Sequence, residues 1–176
     1  MPSTAGTYKG WFWGPHSRLG LSIALVSAVL DQAHKWWMLL GYRIQDKGRV
    51  RVAPFLDLVY VKNTGISYSM FDSSSMTWQY GLAAFALLAS VALSAWLAQS
   101  VTGRVMAASL GLIIGGAIGN AVDRVLLGGV ADFFSLHAFG FYWYVFNIAD
   151  VAIVAGVAGL LYESFWLSRN DAKNPM

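Results

Sequence analysis

Residues 78–101 read WQYGLAAFALLASVALSAWLAQSV, with no Asp, Glu, Lys or Arg among them. A helix of about 20 residues spans the ~30 Å hydrocarbon core of a bilayer. An uncharged apolar run of this length reads as a membrane span and decides the fold class. Three more runs of similar character lie around it, at 19–40, 105–122 and 143–167. Pro2, Pro15, Pro54 and Pro175 all fall outside the four runs, as uninterrupted helices require. The first run is too long for the apolar core of a cleaved leader. It also holds Asp31, Gln32, His34 and Lys35, and no small-x-small pattern closes it. The expectation is a mainly α membrane protein, one polytopic domain over residues 1–176 with four transmembrane helices.

Composition agrees. Hydrophobic residues make up 57% of the chain and charged ones 12%, about half the charged share of a soluble domain. Disorder, coiled coil and collagen are excluded. The chain has no cysteine, which removes disulfides, thiolate metal sites and cysteine nucleophiles. A net charge of +3 with no basic stripe gives no support for nucleic-acid binding.

The connections differ in length. Thr102 to Arg104 is a tight turn, so the second and third runs form an antiparallel pair. Gly41 to Thr77 is long, and about 43–72 is β-rich. Val50-Arg51-Val52 alternates, Leu56 to Val61 holds Val59-Tyr60-Val61, and Pro54 stands between them. This predicts a small sheet at the membrane surface. Asp72-Ser73-Ser74-Ser75 predicts the turn into the second run. Leu126 to Tyr142 is a connection of intermediate length, expected as a short helix or loop. The ends, 1–10 and 170–176, are expected to be loose. Lys9, Arg18, Arg104, Arg169 and Lys173 fall on one side of a four-span layout. Arg43, Lys47, Arg49, Arg51, Lys62 and Arg124 fall on the other, so charge bias does not orient the chain.

Ionisable residues inside a span are costly and tend to persist where they are paired or at work. Asp31 and Lys35 are four apart on one helical face. Asn120 shares a face with Asp123 and Arg124, read as an ion pair. Asp132 follows in an apolar stretch, and Asn147 and Asp150 open the fourth run. Four-span topology gathers all of these at one membrane face, beside the β-rich connection. His16, His34 and His137 are isolated, with His137 expected at the surface. Without a cysteine, a serine–histidine arrangement or a metal-ligand spacing, two close carboxylates suggest acid/base chemistry. Their repulsion keeps one protonated, to polarise a carbonyl, while the other takes a proton from water. A proton-coupled transporter and a non-catalytic scaffold are the other classes. The first calls for broken helices or a paired repeat, and the second tolerates Asn at 132 and 150.

The motifs Asp31-Gln32-x-x-Lys35, Asn63-Thr64-Gly65, Gly115-Gly116-Ala117-x-Gly119-Asn120-x-x-Asp123-Arg124, Gly128-x-Val130-x-Asp132-Phe133 and Phe146-Asn147-x-Ala149-Asp150 occur in this order. Together they resemble the bacterial lipoprotein signal peptidases, the signal peptidase II family. Ile66 and Tyr68 depart from its pattern, and the extension before Leu19 is longer than usual. The resemblance implies an intramembrane aspartic endopeptidase that cuts diacylglyceryl-modified prolipoproteins just before the lipidated cysteine. It implies Asp132 and Asp150 as the catalytic dyad, with Asp31, Lys35, Asn63, Gly65, Gly116, Asn120, Asp123, Arg124, Asn147 and Ala149 shaping or supporting the site. No metal or other cofactor is implied. The implied partners are the prolipoprotein, membrane lipid and globomycin-like cyclic depsipeptide inhibitors, acting on a monomer. The resemblance also implies an inner-membrane protein with cytoplasmic termini, and a sheet and active site on the periplasmic side.

Smaller readings complete the set. Gly111, Gly115 and Gly119 form a small-residue stripe for close helix packing, while Gly116, off the stripe, is expected to leave room for substrate. Trp11, Trp13, Trp36, Trp37, Trp78, Trp143 and Trp166 are expected as interface anchors. Trp11-Phe12-Trp13 is a candidate interfacial helix, and Tyr142-Trp143-Tyr144 a cover for the groove.

Overall fold

The computed structural model describes residues 13–65, 75–100 and 103–171, without the side chains of 100 and 166–171. The expected loose end 1–10, residues 172–176 of the other, the Trp11-Phe12 segment, Ile66, Tyr68 and most of the Asp72–Ser75 turn therefore lie outside the described residues, whereas Asn170 and Asp171, expected loose, continue the last helix. In chain order, α1 (Ser17–Trp36) runs into a π-turn (Trp37–Gly41) and a short 3-10 turn (Ile44–Asp46). The hairpin β1 (Val50–Ala53) and β2 (Leu56–Asn63) follows. Next come α2 (Met76–Ser100) and α3 (Arg104–Leu127), the strands β3 (Val130–Ala138) and β4 (Phe141–Phe146), and α4 (Ile148–Asp171).

The helix α3 is central and packs against α1, α2 and α4. Glycines make this approach possible. A Cβ at Gly111 would strike the carbonyl of Gly20, and one at Gly115 would lie 2.5 Å from the carbonyl oxygen of Ala24. The stripe thus seats α1 on α3, as expected. Gly116 corrects its expectation. A Cβ there would lie 2.5 Å from the Ala149 carbonyl oxygen, so it brings α4 against α3 and leaves no room for substrate. Gly115→Leu should push α1 off α3 and lower the melting temperature in detergent by about 5–10 °C, from an overpacking cost of ~2–3 kcal/mol. An unchanged melting curve would show the packing to be slack.

The helices α2, α3 and α4 are long and apolar enough to cross a membrane, as Met76–Gln99, Arg104–Leu127 and Ile148–Phe165. By the same measure α1 is not among them, because Asp31, Gln32, His34 and Lys35 crowd its second half. Large apolar side chains cover the outer surface of the bundle, among them Leu25, Leu88 and Phe85. Such a surface suits lipid and not water.

The four strands form one antiparallel sheet in the order β1-β2-β3-β4. The sequence anticipates its first two strands and misses the others. The stretch Trp143–Phe146, expected at the start of the fourth span, is strand, and the helix begins only at Ile148. A continuous aromatic run suits a strand as well as a helix, and here it forms the largely exposed edge strand of the sheet. The third run extends five residues past its expected end, to Leu127. It stops at Gly128, whose φ of 68° is the left-handed conformation that closes helices. Within three residues the chain is therefore in β3. Met38, Leu39, Ile44, Ala131 and Phe133 form the buried core of the sheet end, supplied partly by the π-turn.

His137 is also corrected. It lies in β3 with its side chain 10% exposed and its Nε2 3.3 Å from Asp57 Oδ1. Asp57 is buried and takes a hydrogen bond of 3.1 Å from Arg49. Burial works against its charge, but Arg49 and His137 outweigh that and hold its carboxyl below the usual range. Arg49 lies over the ring of Tyr142, so one cluster reaches from β2 to β4.

Candidate active site

Asp132 sits near the start of β3, opposite Val61 of β2, and is 1% exposed. Asp150 sits in the first turn of α4. Between them stands Asn147, fully buried, which serves both. Its Nδ2 donates to Asp132 Oδ1 at 2.6 Å. Its Oδ1 accepts from the Asp150 backbone N–H at 3.0 Å. Its own backbone N–H donates to Asp150 Oδ2 at 3.2 Å. The last two bonds make a reciprocal cap at the amino end of α4, in the manner of a capping box. Asn147-x-x-Asp150 therefore starts the helix and brings the two carboxylates to one asparagine.

Two further asparagines complete the inner layer. Asn63 Nδ2 donates to Asp132 Oδ2 at 3.3 Å. Asn120 Nδ2 donates to Asp150 Oδ1 at 2.9 Å. The orientation of Asn120 is fixed from behind, because its Oδ1 accepts from Lys35 Nζ at 3.1 Å and from Asn147 Nδ2 at 3.2 Å. All three amides present N–H groups to the carboxylates and add no charge of their own.

The outer layer is an ion cluster. Lys35, 1% exposed, lies 2.8 Å from Asp31 Oδ2 and 2.8 Å from Asp123 Oδ2. Each carboxylate then grips a backbone N–H next to Asp150 or Asp132. Asp31 Oδ1 accepts from Ala149 at 2.9 Å, and Asp123 Oδ2 accepts from Ala131 at 3.0 Å. Ala149 thus acts through its backbone, and its small side chain fits beside Gly119. The expected Asp123–Arg124 ion pair does not form. Consecutive helical residues point about 100° apart; Asp123 turns to Lys35, while Arg124 donates to the carbonyls of Gly65 at 3.1 Å and Asn120 at 3.2 Å. Gly65 in turn donates its N–H to Asn63 Oδ1 at 3.1 Å. Every residue singled out from the sequence joins this network except Gly116, which packs α3 on α4.

Two glutamines were missed as site residues. Gln32 donates to Asp123 Oδ1 at 2.8 Å and to the Gly119 carbonyl at 3.0 Å. Gln79 donates to the Thr64 carbonyl at 2.6 Å. Gln32 lies inside a quoted motif and was within reach. Gln79 is a lone amide at a helix start and gives no such signal.

Asp150 and Asn120 open onto a cavity of about 430 Å³ between α2, α3 and α4. Its walls are apolar, with Leu82, Phe85, Ala86 and Ala89 on one side and Ile113, Ala117 and Val154 opposite. Asn63 and Arg124 join Asp150 at its polar end; of the three residues expected as a cover, Tyr144 lines the cavity, while Tyr142 and Trp143 do not. Asp132 lies behind. Burial and the neighbouring Asp150 charge push its carboxyl up to about 7, against the amide hydrogen bonds of Asn147 and Asn63 and the charge of Lys35.

That shift has a sign in stability. Between pH ~4 and ~7 the folded chain keeps a proton on Asp132 that the unfolded chain has released, so stability falls as pH rises through this window. Asp132→Asn carries no such proton. The parent should lose melting temperature between pH 5 and pH 8, and the variant should lose clearly less. Parallel curves would place the raised carboxyl elsewhere.

Asp132 and Asp150, bridged by Asn147 at the polar end of an apolar groove between long apolar helices, have the arrangement that acid–base chemistry of the aspartic-hydrolase class requires. A family model described as signal peptidase (SPase) II matches residues 23–166. A lipoprotein signal peptidase of Rhodopseudomonas palustris is 54% identical over 151 residues, covering 84% of this chain and 92% of its own. One from Nitrobacter hamburgensis is 49% identical over 162 residues, covering 90% and 98%. Two solved structures of bacterial membrane enzymes superpose with TM-scores of 0.72 and 0.66. Their identities are 27% and 28%, and the match covers 90% and 83% of this chain and 93% and 92% of theirs. The chain belongs to the signal peptidase II family.

Proposed function

We propose that this chain removes signal peptides from diacylglyceryl-modified prolipoproteins, cutting just before the lipidated cysteine with Asp132 and Asp150 as a water-activating dyad. The observation that carries the reading is Asn147, which holds both carboxylates at the polar end of an otherwise apolar cavity. Asp132, whose carboxyl is raised, carries the proton and gives it to the scissile carbonyl oxygen. Asp150, open to the cavity, takes a proton from the attacking water. The tetrahedral adduct then collapses: one hydroxyl returns its proton to Asp132 as the carbonyl reforms, the C–N bond breaks, and the proton on Asp150 passes to the leaving nitrogen. No covalent intermediate forms. Asn63, Asn120 and Arg124 face the cavity and can hold the substrate backbone.

The apolar walls suit a lipid tail and the apolar core of a leader, entering sideways from the bilayer. We place α1 as a fourth span beside the three apolar helices, in the inner membrane of the cell, with cytoplasmic termini. The sheet and the dyad then face the periplasm, where water reaches the dyad. The unbroken α2, α3 and α4 speak against the transporter reading. The enzyme is proposed to act as a monomer and to bind globomycin-like cyclic depsipeptides across the dyad.

The deciding experiment gives the purified protein a diacylglyceryl-modified precursor and the same precursor unlipidated. Cleavage of the lipidated form alone is expected. Equal cleavage of both would remove the lipid from the recognition, and none from folded protein would remove the proposed reaction.

A further inference from the structure

We infer that Gln79, in the first turn of α2, is a positioning residue for Asp132, acting through the Asn63-Thr64-Gly65 turn. The inference rests on the dyad proposed above. Gln79 is fully buried, and its Nε2 donates to the Thr64 carbonyl at 2.6 Å. One residue further on, Arg124 Nη2 donates to the Gly65 carbonyl at 3.1 Å. Two successive carbonyls of one turn are therefore held by two different helices.

The turn needs this grip. Asn63 is the last residue of β2 and pairs with Val130, so the ladder ends where its side chain must be aimed. The Gly65 N–H donates to Asn63 Oδ1 at 3.1 Å. That bond fixes which end of the amide faces outward and leaves Nδ2 directed at Asp132 Oδ2, 3.3 Å away. This is the longest of the hydrogen bonds received by the two carboxylates, and so the one most easily lost if the turn shifts. Gln79 has the reach of a long side chain and donates without charge. It holds the turn from α2 without adding a field at the dyad.

The charged and titratable groups facing Asp132 are Asp150 from α4, Lys35 from α1, Arg124 from α3 and Tyr60 from β2. None changes when Gln79 is replaced by a neutral residue. A shift in the titration of Asp132 then reports movement of the turn, and the Asn63→Ala background separates the aim of Asn63 from any displacement of Arg124, which grips the same turn. An amide donor favours the ionised carboxylate, so a loosened Asn63 lets the carboxyl titrate higher.

The test is Gln79→Met, which keeps the length of the side chain and removes the donor. The expected result is a kcat lower by about tenfold with KM little changed. The alkaline limb of the pH–kcat/KM profile should move up by ~0.5 unit. In an Asn63→Ala background the same substitution should add almost nothing, because the path it acts through is gone. An unmoved limb, or an equal loss in both backgrounds, would overturn the inference. Should Gln79→Met fail to fold, Gln79→Leu and Gln79→Ala carry the same expectation. Failure of all three to fold would make Gln79 a purely structural residue and overturn it too. The dyad fails separately, through full activity of Asp132→Asn.

Discussion

Asp150→Asn should lower cleavage of a lipidated precursor by about 10³-fold or more in kcat while leaving the protein folded. The substitution removes the one carboxylate that lines the cavity among the described residues and keeps its shape. The amino end of α4 survives, because an asparagine oxygen still accepts from the Asn147 N–H that Asp150 now receives. The cost lies on the other oxygen. Asn120 cannot turn its amide to meet the new NH₂, since its Oδ1 is taken by Lys35 and Asn147. One donor then opposes another, which is worth about 1–3 kcal/mol. A modest fall in melting temperature with a collapse in turnover is the expected pair of results. Retained turnover would remove Asp150 from the chemistry and leave it as a helix cap.

The largest effect on stability should come from Lys35→Met. Lys35 is buried between Asp31 and Asp123 at 2.8 Å from each, and the change leaves two carboxylates facing each other without a cation. Breaking a buried ion pair from one side costs about 3–5 kcal/mol. The melting temperature should fall by about 10 °C or more at neutral pH. Adding Asp31→Asn should restore part of it, because one of the stranded charges is removed while an oxygen remains for the Ala149 N–H. Activity should fall further than folded protein alone explains, since Asn120 loses the contact that aims its NH₂ at Asp150. A variant as stable as the parent would show that water reaches the cluster and screens it.

These two cases show what the sequence makes legible. Apolar runs of membrane length and charges misplaced within them are strong signals, so the helices and the residues around Lys35 can be read in advance. The strands β3 and β4 cannot. The aromatic stretch Phe141–Phe146 has the composition of a span, and nothing in its spacing separates an exposed edge strand from a helix. Direction is equally hidden. Asp123 and Arg124 are neighbours in the chain and suggested a pair, yet the helix turns one toward α1 and the other toward the Asn63 turn. Gly116 stood off the small-residue stripe and suggested open space, but α4 closes on it. Placing residues on one face is possible from a sequence; knowing which neighbour fills that face takes the third dimension.

The bond from the Ala149 N–H to Asp31 joins the first helix to the last. During translation, Asp132 emerges well before Asp150, and neither has its final setting until α4 has inserted and docked on α1. A nascent chain stopped before residue 147 holds Asp132 without Asp150 and lacks the Asn147 bridge between them. On the proposed dyad, activity is switched on only when α4, the last helix made, has joined the first.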